Sequence, residues 1–173
     1  MSKKRQAYFL ELYRPVHDRF EKYCRARTYE FMPAEDLIHE CLLIAYSKMD
    51  EIRSPASFFS FLIGISRRVL ANARKKKRPT ILPEEHSMAN FADPTDRSEQ
   101  YMNTAFLHHA LAQLPEQQKE ALILFEITGL SIKEIMIIQD STESAVKQRL
   151  FRGRKSLALI AKKELKLTNG GAT

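Results

Sequence analysis

The chain has 173 residues, enough for one ordinary domain or two small ones, and a formal charge of +7 from 28 lysines and arginines against 21 aspartates and glutamates. This excess favours a polyanionic partner but does not identify it. No apolar run approaches the roughly 20 residues that span a bilayer, and the start MSKKRQAYF lacks a signal-peptide core, so we expect a cytoplasmic protein with no membrane insertion.

Apolar residues recur every three or four positions in three stretches of the first 78 residues, which predicts amphipathic helices. The first stretch, Gln6 to Arg27, contains Pro15, which should kink the helix or start a new one. The second runs from Ala34 to Tyr46. The third follows the pair Ser54–Pro55, a helix cap and a proline suited to the first helical position.

The middle of the chain differs in charge from both ends. Basic residues outnumber acidic ones by 17 to 9 in residues 1–78 and by 10 to 7 in residues 105–173, whereas residues 79–104 hold 1 basic and 5 acidic residues. This middle segment has three prolines and little apolar periodicity. We therefore predict domains at residues 1–78 and 105–167, a flexible acidic linker at residues 79–104, and a disordered tail at residues 168–173.

Two helices are predicted after the linker. Helical spacing resumes at Thr104 and continues to Gln113, and Pro115 starts a helix that closes at Gly129, a residue suited to a helix C-cap. No segment of the chain alternates apolar and polar residues as a strand does. The predicted fold is therefore all-α.

The stretch Ser131 to Leu157 predicts two helices around a tight turn. Ser131 and Glu134 have the spacing of a capping box, which satisfies backbone donors at the start of the first helix. Ser141 or Thr142 can cap the second helix. Together with the two preceding helices, this helix-turn-helix is expected to form a four-helix unit.

The last helix has two different faces at about 100° per residue. One stripe is apolar or small: Val146, Leu150, Gly153, Leu157 and Ile160. The opposite side carries Lys147, Gln148, Phe151, Arg152 and Lys155. Long cationic donors, a bidentate-capable amide and an aromatic ring suit entry into a DNA major groove. Arg149 and Arg154 lie on the flanks, where phosphate contacts are expected. A solvated surface helix, with Phe151 partly buried, is the alternative.

The cysteines and histidines do not indicate an enzyme. Cys24 and Cys41 are expected to be free buried thiols in a reducing cytosol. Neither these thiols nor the histidines have the spacing of a zinc site, and the neighbours His108 and His109 would point about 100° apart on a helix. The chain also lacks a phosphate-cradling loop and a nucleophile with its base. We expect no catalysis, no metal and no cofactor.

Two parts of the chain resemble the extracytoplasmic-function (ECF) group of bacterial sigma-70 family sigma factors. Region 2 of that group is similar to AEDLIHECLLIAY followed by FFSFLIGISRRVLANARKKKR. Region 4 is similar to ALAQLPEQQKEALILFEITGLSIKEI followed by AVKQRLFRGRKSL. The two matches come in the family's order, with an acidic linker between them. The resemblance implies an RNA polymerase subunit that confers promoter specificity.

The resemblance implies that the polar side of the helix from Ala34 to Tyr46 docks on the β′ coiled coil of core RNA polymerase. The residues at these positions are Asp36, His39 and Glu40. His39 stands where the family often has a glutamine, and a neutral imidazole still donates or accepts one hydrogen bond. A plain solvated helix face is the alternative. The polymerase β flap is expected as a further contact.

The resemblance places recognition and melting of the minus-10 element in the loop Met49 to Ser57 and the helix after it. The implied residues in that helix are Phe61, Arg67, Arg68, Asn72, Arg74 and Lys75. Opening a duplex needs a stacking surface for an extruded base and cations for the freed strand. Phe61 replaces a frequent tryptophan and is alternatively a core ring. Arg68 replaces a frequent asparagine, which favours phosphate over base contact.

In region 4 the resemblance assigns the minus-35 element to the face that the helical pattern had indicated, Lys147, Gln148, Phe151 and Arg152. Asp140 and Ser141 occupy positions where glycine and an apolar residue are usual, which bears on the packing of the turn. The implied partners are core RNA polymerase, promoter DNA and an anti-sigma factor. The alternative function is a stand-alone helix-turn-helix regulator that does not bind polymerase and recognises a palindromic operator.

Overall fold

The computed structural model describes residues 2–29, 32–76 and 98–169, and all regular secondary structure in these ranges is helical. The chain divides between residues 84 and 85 into two compact units. In its described residues the first unit contains four α-helices: α1 (Lys3–Tyr13), α2 (His17–Thr28), α3 (Ala34–Ser47) and α4 (Phe58–Lys76). The second contains α5 (Ser98–Ala112), α6 (Glu116–Leu122), α7 (Ile132–Gln139) and α8 (Glu143–Asn169). These two helical units confirm the predicted all-α fold.

Prolines lie in short 3-10 turns at two junctions of the first unit. The turn Arg14–Val16 contains Pro15 and separates α1 from α2, as the sequence predicts. The turn Pro55–Ser57 leads directly into α4. Ser54 N donates to Ser57 Oγ at 3.3 Å, and Ser57 Oγ donates to Ser54 O at 2.8 Å. The first of these bonds gives a partner to the Ser54 amide, which has no intrahelical acceptor at the helix start.

The core of the first unit is aromatic and aliphatic. Phe20, Tyr23 and Phe58 are completely buried, and each contributes about 1.5–3 kcal/mol by leaving water. The Tyr23 hydroxyl meets its polar requirement inside the core because Ser66 Oγ donates to it at 3.2 Å. Phe9 packs edge-on against Phe58 with ring centroids 5.6 Å apart, which holds α1 onto α4.

A π-helical turn, Ile123–Ile127, continues α6 toward Gly129. The sequence predicted one regular helix here. Thr128 Oγ1 donates to Leu124 O at 2.6 Å, while Thr128 N donates to Ile123 O at 3.1 Å. The Thr128 hydroxyl takes the Leu124 carbonyl, which its own amide would bond in a regular α-helix. The amide bonds the Ile123 carbonyl instead, five residues back, and this wider spacing makes the turn π-helical. Gly129 then ends the segment at φ 71°, as predicted for a C-cap glycine.

Two predicted boundaries differ from the observed helix ends. Helix α5 begins at Ser98, so residues 98–104, which we assigned to the linker, are helical. That assignment depended on weak periodicity, whereas glutamate, glutamine and methionine in this stretch favour a helix by propensity. Helix α8 runs to Asn169, so residues 168–169 of the predicted tail are also helical. The rest of the predicted linker and tail, and residues 77–78 of the first predicted domain, lie outside the described residues.

Both cysteines are buried free thiols, as the sequence predicts. Desolvation raises the pKa of Cys24 and raises that of Cys41 to about 12, because burial disfavours the thiolate. Within the described ranges, no three histidine, cysteine, aspartate or glutamate side chains form a group that could hold a metal ion. No helix in the described part of the chain is long and apolar enough to cross a bilayer.

Candidate nucleic-acid interface

Helix α7 and the turn after it position the start of α8. Glu134 N donates to Ser131 Oγ at 3.2 Å, and Ser131 N donates to Glu134 Oε2 at 2.7 Å, which confirms the predicted capping box. The helix ends at Asp140, whose φ of 46° and ψ of 57° are left-handed. Asparagine and aspartate tolerate this conformation better than most non-glycine residues. Asp140 therefore makes the turn that a glycine makes elsewhere.

Helix α8 packs its predicted apolar stripe inward. Thr142 Oγ1 accepts from Ala145 N at 3.2 Å, so Thr142 caps the helix. Val146 and Leu150 are buried at 0% and 3% exposure, and Gly153 is buried against α6. Farther along α8 the stripe is less well covered, and Leu157 and Ile160 are only half-buried. The first three turns of α8 are therefore the part fixed against the rest of the unit.

The opposite side of α8 is open to solvent. All five predicted residues of this face are exposed: Lys147, Gln148, Phe151, Arg152 and Lys155. Phe151 has 67% of its surface exposed, which excludes the alternative of a partly buried ring. Lys147 Nζ lies 2.5 Å from Glu143 Oε1, and this hydrogen bond lowers the pKa of Glu143. We call Lys147, Gln148, Phe151, Arg152 and Lys155 the α8 face.

The two flanking arginines of α8 make contacts inside the unit. Arg149 Nη1 donates to Gln139 Oε1 at 2.9 Å and to Ser141 Oγ at 2.6 Å. Arg154 donates to Glu126 Oε1 through Nε at 2.9 Å and through Nη2 at 2.6 Å. The sequence pattern assigned both to DNA phosphates and had no signal for these partners, which come from other elements. Phosphate contact by either arginine stays a prediction.

A second exposed surface follows α4. Helical spacing aligns Phe61 with three exposed residues, Arg68, Asn72 and Lys75, and places Arg67 and Arg74 in the adjacent row. Phe61 is half-buried, between the two alternatives that the sequence left open. The opposite side of α4 is buried in the core. A half-exposed ring in line with an amide and cations has the composition expected for contacts to separated DNA strands.

The connection from α3 to α4 is anchored at its first turn. Met49 begins the 3-10 turn Met49–Glu51 and is 8% exposed, so it belongs to the core. Arg5 of α1 donates through Nη2 to Tyr46 O at 3.3 Å and lies 3.5 Å from Asp50 Oδ2. The connection, which the sequence assigned to minus-10 recognition, is thus held against α1 and α3 at its start.

Helix α3 exposes a third surface, which contains a leucine that sequence reasoning missed. Asp36, His39 and Glu40 are all exposed. Leu43 has 73% of its surface exposed and lies seven, four and three residues after them, on the same side of the helix. Helical spacing alone would have placed it beside them, but we had not assigned it to any surface. Leu37, Cys41 and Ala45 are the ones that are fully buried.

Comparison with protein families matches both units. Sigma-70 region 2 matches residues 12–80, and Sigma-70 region 4 matches residues 107–157. The RNA polymerase sigma-H factor of Pseudomonas aeruginosa is 23% identical over 142 residues, which cover 75% of this chain and 74% of that protein. The ECF RNA polymerase sigma factor EcfG of Rhodopseudomonas palustris is 26% identical over 127 residues, covering 73% and 70% of the two chains.

Solved structures share the fold. The sigma factor RpoE, in its co-crystal structure with the anti-sigma factor NepR from Bartonella quintana, superposes with a TM-score of 0.69 at 21% identity, over 93% of this chain and 98% of that one. CnrH, in complex with the cytosolic domain of CnrY, gives a TM-score of 0.67 at 18% identity, over 91% and 90%. At these identities the likeness shows the fold alone.

Proposed function

The chain belongs to the extracytoplasmic-function group of the sigma-70 family, and on that premise we propose that it contacts core RNA polymerase through α3, the minus-10 element through α4, and the minus-35 element through α8. It is a sigma factor: it binds core RNA polymerase and directs promoter-specific initiation of transcription. The matches to both regions favour this function over a stand-alone helix-turn-helix regulator, for which region 2 would have no role.

The observation that carries the proposal is the division of α8 into a packed side and an open side. Val146 and Leu150 hold the helix to its unit, while Phe151 and the adjacent Arg152 project into solvent. Major-groove recognition requires such a helix, with arginine, lysine and glutamine able to bond base edges and an apolar group able to contact a thymine methyl. Each good bidentate pair contributes about 1–3 kcal/mol of discrimination.

For polymerase docking we propose the exposed side of α3. Its acidic and polar residues supply directed contacts, and Leu43 supplies an apolar group whose burial contributes about 1.5–3 kcal/mol. An apolar residue surrounded by polar ones is the usual composition of a protein-binding surface. The β′ coiled coil is the proposed partner, with the β flap as a second contact of the other unit.

For minus-10 recognition we propose the α4 row of Phe61, Arg68, Asn72 and Lys75. Unstacking a base costs a few kcal/mol, and an aromatic platform with neighbouring cations offsets that cost. Because two small DNA contacts must together support opening of the duplex, the free factor should bind promoter DNA weakly and with steep salt dependence. Polymerase docking therefore precedes tight promoter binding.

We further propose an anti-sigma factor as a regulatory partner, a cytoplasmic location, and no catalytic activity of the chain itself. The support for the anti-sigma partner is the likeness to RpoE, which was solved in complex with the anti-sigma factor NepR. Initiation requires docking and DNA contacts only, since nucleotide addition is the chemistry of the polymerase.

The test is run-off transcription in vitro by core RNA polymerase with the full chain and a random promoter library. Dependence of products on the chain, with enrichment of one upstream and one downstream element, supports the proposal. Arg152→Ala should reduce upstream selectivity about tenfold and leave polymerase binding intact. The matched control is Arg14→Ala, an exposed arginine outside the three surfaces, which should leave both unchanged.

Docking is tested separately with Leu43→Ala. This variant should weaken binding to core polymerase about tenfold, while Leu10→Ala, a 46% exposed leucine of α1, should not. If Arg152→Ala weakens polymerase binding as much as upstream selectivity, the assignment of α8 to DNA is wrong. If core polymerase does not bind the unmodified chain, the whole proposal is wrong.

A further inference from the structure

A relay of polar side chains links three helical elements behind the α8 face. Gln139, the last residue of α7, donates through Nε2 to Glu120 Oε2 at 3.0 Å and to Gln117 O at 3.2 Å. Its Oε1 accepts from Arg149 Nη1 at 2.9 Å. One amide group therefore bridges α6 on one side and α8 on the other.

The chemistry of the relay defines the orientation of the amide. A carboxylate oxygen and a backbone carbonyl only accept, and a guanidinium only donates. Nε2 of Gln139 must therefore face α6, and Oε1 must face Arg149. Two of these bonds involve a charged group and are stronger than bonds between neutral groups. Glu120 is 4% exposed, so its bond to Gln139 is shielded from water.

The relay also includes the turn itself. Arg149 Nη1 donates to Ser141 Oγ at 2.6 Å, and Ser141 Oγ donates to Gln139 O at 3.1 Å. Polar bonds through Ser141 therefore join the turn to α8. Arg149 lines one groove together with Gln148 and Arg152 of the α8 face.

Apolar packing alone leaves the rotation of α8 loosely defined. Burial of Val146 and Leu150 is non-directional, whereas a hydrogen bond weakens steeply when its angle departs from linearity. Base-edge contacts require placement within about 0.5 Å and 10–20°. The bonds of Arg149 fix the rotation of the helix one residue away from Gln148.

We propose that Gln139 is a positioning residue, which sets the rotation of α8, and so the sequence preference of the α8 face, through the relay Glu120–Gln139–Arg149. Arg149 in this arrangement orients the helix and is not primarily a phosphate contact. The inference rests on the proposed minus-35 role of α8. In this role Gln139 acts through Arg149 and not through contact with DNA.

The test exchanges the amide and the carboxylate between positions 139 and 120. Gln139→Glu sets two carboxylates against each other and should lower the ratio of run-off product from the selected upstream element to product from a scrambled one by roughly tenfold, the equivalent of one base-edge contact. Adding Glu120→Gln restores the contact between these two side chains, because the new amide donates to the new carboxylate, which accepts from Arg149. The bond to Gln117 O is lost in the single and the double variant alike, so the comparison between them isolates the contact with residue 120. The double variant has the net charge of the unmodified chain and should recover the ratio to within about threefold.

Controls distinguish a change in the position of α8 from the effect of an added charge and from a loss of folding. Gln113→Glu adds the same charge at an exposed site outside the relay and should leave the ratio unchanged. The thermal unfolding midpoint and binding to core polymerase are measured for every variant. A purely structural role would lower product from both templates equally, whereas loss of positioning changes their ratio. Ser141→Ala removes one acceptor of Arg149 and, as a milder change, should lower the ratio about threefold.

The outcomes distinguish this inference from the proposed function. If the unmodified chain transcribes both templates equally, α8 does not read the upstream element and the proposed function is wrong. If the unmodified chain discriminates but Gln139→Glu and Ser141→Ala discriminate as well as it does, only the positioning role is wrong. A double variant no better than Gln139→Glu also overturns it.

Discussion

Gly153 of α8 lies so close to Leu122 of α6 that a Cβ at Gly153 would stand 2.7 Å from Leu122 Cδ1 and 3.1 Å from its Cγ. Leu122 is 2% exposed, so its side chain is enclosed within the unit and cannot turn out into solvent. The absence of a side chain at Gly153 therefore allows the two helices to approach, and it determines how deep α8 lies in its unit. Gly64 in α4, in contrast, has no atom within 4 Å of its missing Cβ.

The two glycines should respond oppositely to alanine. Gly153→Ala adds overpacking of about 1–3 kcal/mol and gains back about 1 kcal/mol of helix propensity, for a net loss of about 1 kcal/mol. Gly64→Ala should raise the free energy of unfolding by about 0.5–1 kcal/mol, because alanine favours the helix and its methyl group meets no neighbouring side chain. Urea unfolding followed by circular dichroism measures both changes. Equal stabilisation by the two substitutions would show that the close approach to Leu122 carries no strain.

Substitutions of two neighbouring residues of α8 should have different effects, one on stability and the other on DNA binding. Leu150→Ala removes a side chain that is 3% exposed and should lower the free energy of unfolding by about 2–5 kcal/mol. Phe151→Ala removes one that is 67% exposed and should change it by less than about 0.5 kcal/mol, while weakening upstream promoter selectivity. Chemical unfolding and run-off transcription test the pair. A large stability loss in Phe151→Ala would contradict the exposed placement of its ring.

Replacing Asp140 with glycine should raise the stability of the fold. Its φ of 46° is left-handed, where a Cβ costs roughly 1–2 kcal/mol in most residues and less in aspartate. Asp140→Gly is therefore expected to stabilise by up to about 1 kcal/mol, whereas Asp140→Ala should destabilise slightly. The thermal unfolding midpoints of the two variants give the comparison. The prediction fails if alanine is tolerated as well as glycine.

The buried thiols should make stability fall in alkali. The pKa of Cys24 is raised and that of Cys41 is raised to about 12 by burial, against 9.0 for both thiols in the unfolded reference. The folded state therefore retains protons that the unfolded state loses, so stability is full below pH 9 and falls as pH rises from 9 toward 12. The expected slope is about 1.4 kcal/mol per pH unit for each thiol.

Replacing both thiols by alanine provides the control for this pH dependence. The double variant Cys24→Ala with Cys41→Ala should lose less stability than the unmodified chain between pH 9 and pH 10.5, measured by urea unfolding at each pH. Both thiols should also resist an alkylating reagent at pH 8 until the protein is unfolded, because the reagent reacts with thiolate. Parallel pH curves for the two proteins would rule out the thiols as the cause.

The sequence by itself determined where most of the helices lie and which face of α8 packs. The capping box of Ser131 and Glu134, the junction at Pro15 and the division of α8 between Val146 and Phe151 depend on interactions within about four residues along the chain. Such local rules need no knowledge of neighbouring elements. The resemblance to region 2 and region 4 depended on the same stretches.

Only the tertiary structure decided how side chains pair between elements. Arg149 and Arg154 looked like phosphate ligands because their partners, Gln139 and Glu126, are 10 and 28 residues away along the chain. Leu43 was not predicted to belong to the exposed surface of α3, because its exposure depends on which side of that helix the other helices cover. Pairing over long sequence separations is set by packing geometry, which a helical pattern does not contain.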